Sequence, residues 1–355
     1  MTAISGGLAS SFLVLVFFFP HNLSGYSCKS LSGKDVDWFV SYKLPDLGSE
    51  GDGTAFVYSD ANSASWRLSD KSVEDKRSAI GLTVSQLFTA KSKKGDFFAL
   101  FNDENPNSGK TDSNRAHMKG VLVFDDISGF WLVHSVPKFP SSKETFYVYP
   151  RSGKRNGQSL LCITLSSASL REIGRQLFVA QPNIYDFQLP NSFASLFPDL
   201  AKAVNRTTFP YKKRPSFSVI EVHSLEGQQF TTFFKHKRYG KDLYSDLVAP
   251  QLKTSLYVET WLVGRGDLPS NCSSPYKIHN VLSVKLSKFA FKSTEDHSKW
   301  AVSESGQWTC IGDINRQLSQ ARRGGGTVCL SNAKIASLYK SAVDKAECCK
   351  EESHC

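Results

Sequence analysis

Two short pairs carry the clearest chemistry in this chain, His117-Met-Lys119 and His297-Ser-Lys299, 180 positions apart. Residues i and i+2 of a strand face the same side, so each pair can present an imidazole and an ammonium to one anion. Cleavage of a phosphodiester needs a nucleophile, a proton for the departing oxygen, and positive charge on the non-bridging oxygens. One imidazole can attack phosphorus. The other, protonated, can supply the proton. The two lysines can hold the phosphate and the charge that builds up on it. Nothing in this scheme calls for a metal, unlike sites built on clustered carboxylates. No His/carboxylate cluster with metal-site spacing is visible, and there is no P-loop, Gly-x-Ser-x-Gly elbow or dinucleotide fingerprint, so neither metal nor cofactor is expected.

Eight histidines in a chain with 43 Lys plus Arg would give roughly one His-x-Lys by chance, so the count decides nothing. The context decides more. His117-Met-Lys119 leads into Gly120–Asp125, a turn at Ser128-Gly129 and then Phe130-Trp131; His297-Ser-Lys299 leads into Trp300–Ser303, a turn at Ser305-Gly306 and then Gln307-Trp308. Both read as a hairpin with the chemistry on its first arm. His134 and Asn315 lie on or just past the second arms and are supporting candidates, with a buried orienting histidine and a turn residue as the alternatives. Gly324-Gly-Gly326 behind Arg322-Arg323 suits a flexible turn better than a backbone anion nest. Lys235-His-Lys-Arg238 reads as a solvated basic tract or as part of a DNA-binding face.

The elements around these residues are mixed. Asp37–Pro45 reads as a strand ended by proline, and Phe217–His223 and Ser255–Val263 as further strands. Apolar spacing of three and four predicts helices over Ser69–Lys91, Ser167–Leu177, Asn191–Val204 and Ala333–Asp344. Asn205 to Pro215 is a basic, proline-bearing linker or exposed loop. The reading is two α/β halves joined there, residues 28–205 and 206–355, each carrying one His-x-Lys.

Bulk properties fit an exported, folded protein with an anionic partner. Hydrophobic residues are 40% and charged residues 21% of the chain, which supports a packed core. The apolar run Phe12–Phe19 would span only about 12 Å as a helix, too short for a bilayer, and Pro20 ends it; a signal peptide over residues 1–27 is expected. Eight cysteines without a Cys-x-x-Cys pair point to disulfides in an oxidising compartment. Sequons stand at Asn205 and Asn271, and a third at Asn22 would leave with the signal. The net charge of +10 favours a polyanion as partner.

The stretches Asp37–Pro45, His117–Leu122, Trp131–Pro137, Leu268–Ser273, Ser293–Trp300, Trp308–Arg316 and Gly324–Cys329 resemble the deoxyribonuclease II family across nearly the whole mature chain. The resemblance implies a phospholipase-D-like α/β (α+β mixed) fold, two related halves with one active site between them. It implies metal-independent cleavage of double-stranded DNA at acid pH, leaving 3′-phosphate and 5′-hydroxyl ends. Carried over by position, His117 with Lys119 and His297 with Lys299 are catalytic, and His134 matters for activity. The family's disulfides map to Cys28–Cys162, Cys310–Cys329 and Cys272–Cys348. Cys349 and Cys355 fall outside that scheme: Cys349 could replace Cys348, and Cys355 could take the one left over or bridge a homodimer. Lysosomal residence and secretion are both compatible. A DNA-binding relative without catalysis, and a phosphodiesterase for another diester, are the competing readings.

Overall fold

The computed structural model describes residues 25–49, 51–108, 110–210, 215–347 and 349. Apart from residues 25–27, the expected signal peptide lies outside them, as do Asn22, Cys348 and Cys355. The fold is mixed α/β, built on two large sheets. The first holds eight strands: β1 (Trp38–Lys43), β2 (Phe56–Asp60), β3 (Ser63–Leu68), β4 (Phe97–Asn102), β5 (Lys119–Phe124), β6 (Ser128–His134), β7 (Gln158–Ser166) and β8 (Ile184–Gln188). Their spatial order is β8-β4-β5-β6-β7-β1-β2-β3. The second holds nine: β9 (Phe217–His223), β10 (Gln229–Lys235), β11 (Leu256–Glu259), β12 (Ile278–Leu286), β13 (Phe289–Lys292), β14 (Trp300–Ser303), β15 (Trp308–Gly312), β16 (Gly325–Ser331) and β17 (Val343–Ala346). Here the order is β9-β10-β16-β15-β14-β11-β12-β13, with β17 also on β12. Read backwards, the second order repeats the first: hairpin β14–β15 matches β5–β6, β16 matches β7, and β10 matches β1.

The central strands are near-continuous apolar runs because both of their faces are covered. One face of the first sheet, with Phe101, Leu122, Trp131 and Val133, shares a core with Phe234, Trp300, Ile311 and Val328 of the second. The other face, with Leu100, Val123, Phe130 and Leu132, packs under helix α1 (Ala79–Ser92). Each such large side chain contributes about 1.5–3 kcal/mol on full burial. Helices then cross over. α2 (Leu170–Ala180) follows β7 yet donates from Gln176 Nε2 to Thr232 Oγ1 on β10, at 2.6 Å. Farther along, after β16, comes α5 (Ala333–Ala342), which sets Tyr339 edge-on to Trp66 of β3.

Several sequence expectations are corrected. The helix expected from Ser69 starts only at Ala79. Ser69, Ser72 and Asp75 accept the N–H groups of Lys71, Glu74 and Arg77, which favours turns, and Ser78 caps the helix by accepting from Gly81 N. Pro198 splits the helix predicted over Asn191–Val204 into α3 (Asn191–Leu196) and α4 (Pro198–Val204). Ser128 and Gly129 already belong to β6, because the Asp125 carboxylate takes the N–H groups of Ile127 and Ser128 and closes the turn earlier. The basic stretch after Asn205 is not wholly exposed: Phe209 is buried, edge-on to Phe178. Asn205 itself is exposed and Asn271 half-buried.

Cys28 is bonded to Cys162, Cys310 to Cys329, and Cys272 to Cys349 rather than to Cys348. The backbone explains the change. Glu347 is tied to Ser270 by its carboxylate (2.9 Å to Ser270 N) and its carbonyl (3.1 Å from Ser270 Oγ). Two residues beyond each anchor lie Cys349 and Cys272.

Candidate active site

The pairs do not sit on the first arms of their hairpins, as strand periodicity suggests, but end just before or as those arms begin. There the backbone bonds across the halves instead of along a ladder. His117 N donates to Gly324 O and His297 N to Gly157 O, each at 2.9 Å. Gly324 and Gly157 immediately precede β16 and β7. The side chains repeat the exchange: His117 Nδ1 meets Asp313 O at 2.5 Å, and His297 Nδ1 meets Ser135 O at 3.2 Å. Asp313 and Ser135 immediately follow β15 and β6. A carbonyl only accepts, so Nδ1 carries the hydrogen in both rings, and a neutral imidazole keeps its lone pair on Nε2.

Close approach explains the glycines. A Cβ on Gly324 would lie 2.1 Å from Ala180 O, one on Gly325 2.4 Å from Ile314 Cδ1, and one on Gly157 2.4 Å from Asp296 Oδ1. The run Gly324–Gly326 is therefore neither a flexible turn nor a nest but a buried strand entry. Two buried lysines back it and its counterpart. Lys43 Nζ donates to Lys154 O at 2.5 Å and to Asn156 O. Lys235 Nζ donates to Gln320 O, Ala321 O and Arg323 O at 2.9, 3.0 and 2.6 Å. They pair in register with Gln158 and Gly325. Burial lowers Lys43 to about 7 and Lys235 to about 8. The solvated reading of Lys235–Arg238 thus fails for Lys235 and for His236, which is buried and stacked on Phe209.

Lys119 Nζ sits 2.6 Å from Asp103 Oδ1, and Arg323 Nη2 sits 3.2 Å from Asp103 Oδ2. That second oxygen is 3.8 Å from His117 Nε2. Lys299 Nζ donates to His297 O at 2.6 Å. Near His297 the neighbour is instead Trp261, its ring edge-on with centroids 4.9 Å apart. Burial pulls both imidazoles well below their ordinary value. Asp103 counters the fall at His117, whereas at His297 Lys299, Lys119 and His117 all add to it. Burial and Lys119 lower Lys299 to about 7, and burial raises Asp313 to about 8 against the pull of Lys119. Against its burial, Asp103 is held well below the usual carboxylate range by Lys119, His117 and Arg323.

His134 ends β6 fully buried, its Nδ1 accepting from Val136 N at 3.2 Å and its Nε2 without a hydrogen-bond partner. Burial and nearby Lys119 lower it to about 3. Asn315 is buried with Oδ1 unpartnered. Buried polar atoms left open in this way suit groups that await a ligand. Asp103, Asp313, Trp261 and Arg323 were not picked out by spacing, since each reaches the pairs from a neighbouring strand end or the other half. The one local signal was Asn102-Asp103-Glu104 closing the apolar run Phe97–Phe101. Among the described residues, no group of three or more His, Cys, Asp or Glu is placed to hold a metal, and no helix is long and apolar enough to cross a membrane.

Two imidazoles, two lysines and an arginine are gathered between two matched half-sheets, an arrangement able to bind a phosphate. The profile of the family "Deoxyribonuclease II" matches residues 27–349. The chain is similar to cell-death-related nuclease 7 of Caenorhabditis elegans, at 37% identity over 97% of this chain and 94% of that one. It is similar to plancitoxin-1 of Acanthaster planci, at 41% identity over 91% and 92%. Human deoxyribonuclease-2-beta is 37% identical over 91% and 92%. The chain belongs to the deoxyribonuclease II family and is a nuclease.

Proposed function

We propose that this chain is a metal-independent acid endodeoxyribonuclease that works through a phosphohistidine, on a phospholipase-D-like pair of repeated halves, 28–205 and 206–355. The observation that carries the reading is the matched cross-bonding of His117 and His297, which leaves two Nε2 atoms available in one site. The unequal surroundings support a division of roles. His297, beside Trp261 and two lysines, stays neutral and attacks phosphorus through Nε2. The P–N bond forms, the P–O5′ bond breaks, and the 5′-oxygen takes the proton from His117 Nε2, whose imidazolium Asp103 favours. Water then attacks phosphorus and gives its proton to His117. The P–N electron pair returns to His297, leaving a 3′-phosphate. Lys119, Lys299 and Arg323 hold the non-bridging oxygens, and His134 and Asn315 support the site.

Acid favours this chemistry. Below about pH 7 Lys299 is charged, and below about pH 8 Asp313 is neutral, so the site gains positive charge for a phosphodiester as pH falls. The disulfides fit a lysosomal or secreted location. The test is plasmid digestion at about pH 5 with excess EDTA, followed by end-group analysis. Cleavage to 3′-phosphates is expected; intact plasmid, from protein shown to be folded, would leave a DNA-binding relative as the better account.

A further inference from the structure

We infer that the cleft between Arg115 and Lys237 is a second phosphate subsite, one that grips the phosphodiester next to the scissile one along the same DNA strand. The inference rests on the nuclease reading. A cavity of about 420 Å³ opens where the two halves meet, and among the described residues four basic side chains and no carboxylate line it: Arg115, Arg206, Lys237 and Arg238. Its remaining polar wall is uncharged Asn114, Gln181 and Thr208, apart from His236. His236 is lowered to about 4 by burial and by Arg238, Lys237 and Lys235, so it stays neutral at mildly acid pH.

The cavity is built rather than incidental. The Phe209 ring lies under the Arg238 guanidinium, 5.0 Å away, and stacks on His236. Arg238 Nε donates to His236 Nδ1 at 3.2 Å. Arg206 is aimed by bonds to Asn183 Oδ1 (3.1 Å) and Ile184 O (2.5 Å). The Phe209 ring is already stacked on His236 and lies under Arg238, so the cavity offers cations rather than a free base-stacking platform, which selects a phosphate.

Its position follows from two shared walls. Ala116, adjacent to His117 in the chain, and Gly324, whose carbonyl holds His117 N, both line it. A strand whose scissile phosphate sits against His117 therefore brings its neighbouring phosphate to the arginines. Because the walls come from both halves, filling the cavity also braces the arrangement that orients His117.

The test measures binding of a 20-base-pair duplex by fluorescence anisotropy across a salt series at pH 5, in a cleavage-blocked His297→Ala background. The double variant Arg115→Gln/Lys237→Gln is set against Lys285→Gln/Lys288→Gln, which removes the same charge from exposed positions on the β12–β13 hairpin of the second sheet. The subsite predicts that the first double binds roughly tenfold more weakly than the second. It also predicts a log Kd against log salt slope smaller by about 2. Equal affinity and slope in the two doubles, with the parent still binding, would overturn the subsite alone. A parent that binds no duplex at all would overturn the nuclease reading with it.

Discussion

At the residue scale, what each imidazole faces sets its chemistry. In the proposed mechanism His117→Ala removes the proton donor and His297→Ala the nucleophile; each is expected to lower kcat on DNA by about 10²–10⁴-fold or more, with circular dichroism unchanged. Activity near wild type in either variant contradicts the two-histidine site. Asp313 makes a separate, thermodynamic prediction. Its folded value of about 8 is above that of an unfolded aspartate, so the folded state holds the extra proton. The stability this brings is fully present below about pH 4 and is lost as pH rises through about 8. Asp313→Asn cannot ionise, so its stability relative to wild type should climb between pH 4 and 8. Urea denaturation at pH 5 and pH 8.5 reads this directly, and a gap that does not change with pH would argue that the carboxyl is ionised when folded.

At the scale of elements, the strand entries matter more than the strands. Gly324 passes too close to Ala180 for any side chain, and its carbonyl holds His117. Gly324→Ala should shift that histidine, and a misplacement of about 1 Å can cost on the order of 100-fold in rate. Steady-state kinetics on DNA would show the loss in kcat; an unaffected kcat in a folded variant would mean that the glycine serves packing alone. The tail offers a second check. Cys349→Ser should lower stability by roughly 2–4 kcal/mol, whereas Cys348→Ser should leave the Cys272–Cys349 peptide cross-link visible by mass spectrometry. Loss of that cross-link in Cys348→Ser would restore the pairing first expected.

Much of this was legible in order of locality. The hairpins after His117 and His297 could be read because apolar runs and turn residues are contiguous. The helix at Ser69 was drawn ten residues too early because apolar spacing does not register serine and aspartate side chains that cap turns. Asp103, Trp261 and the crossed carbonyls of Ser135 and Asp313 were invisible, since they depend on which strand ends meet. The burial of Lys235 is hidden from the sequence for the same reason: its three carbonyl partners lie more than 80 residues away.

For the whole molecule, two half-sheets share one core, and helices α2 and α5 each lean on the opposite sheet. The proposed site lies where the two sheets meet, and its charge depends on pH. Lys299 gains its proton below about pH 7, and Asp313 loses its charge below about 8. The general acid must be protonated while the nucleophile stays neutral. The profile of kcat/KM should be bell-shaped with its maximum on the acid side of neutrality. A maximum above pH 8 would contradict the assignment of the acid.

The most direct measurement is to mix the enzyme with duplex DNA at pH 5, quench in alkaline detergent, and map any covalent nucleotide by peptide mass spectrometry. A 3′-phosphoryl adduct on His297 is expected. An adduct on His117 would reverse the roles, and DNA cleaved with no adduct on either histidine would contradict the phosphohistidine mechanism.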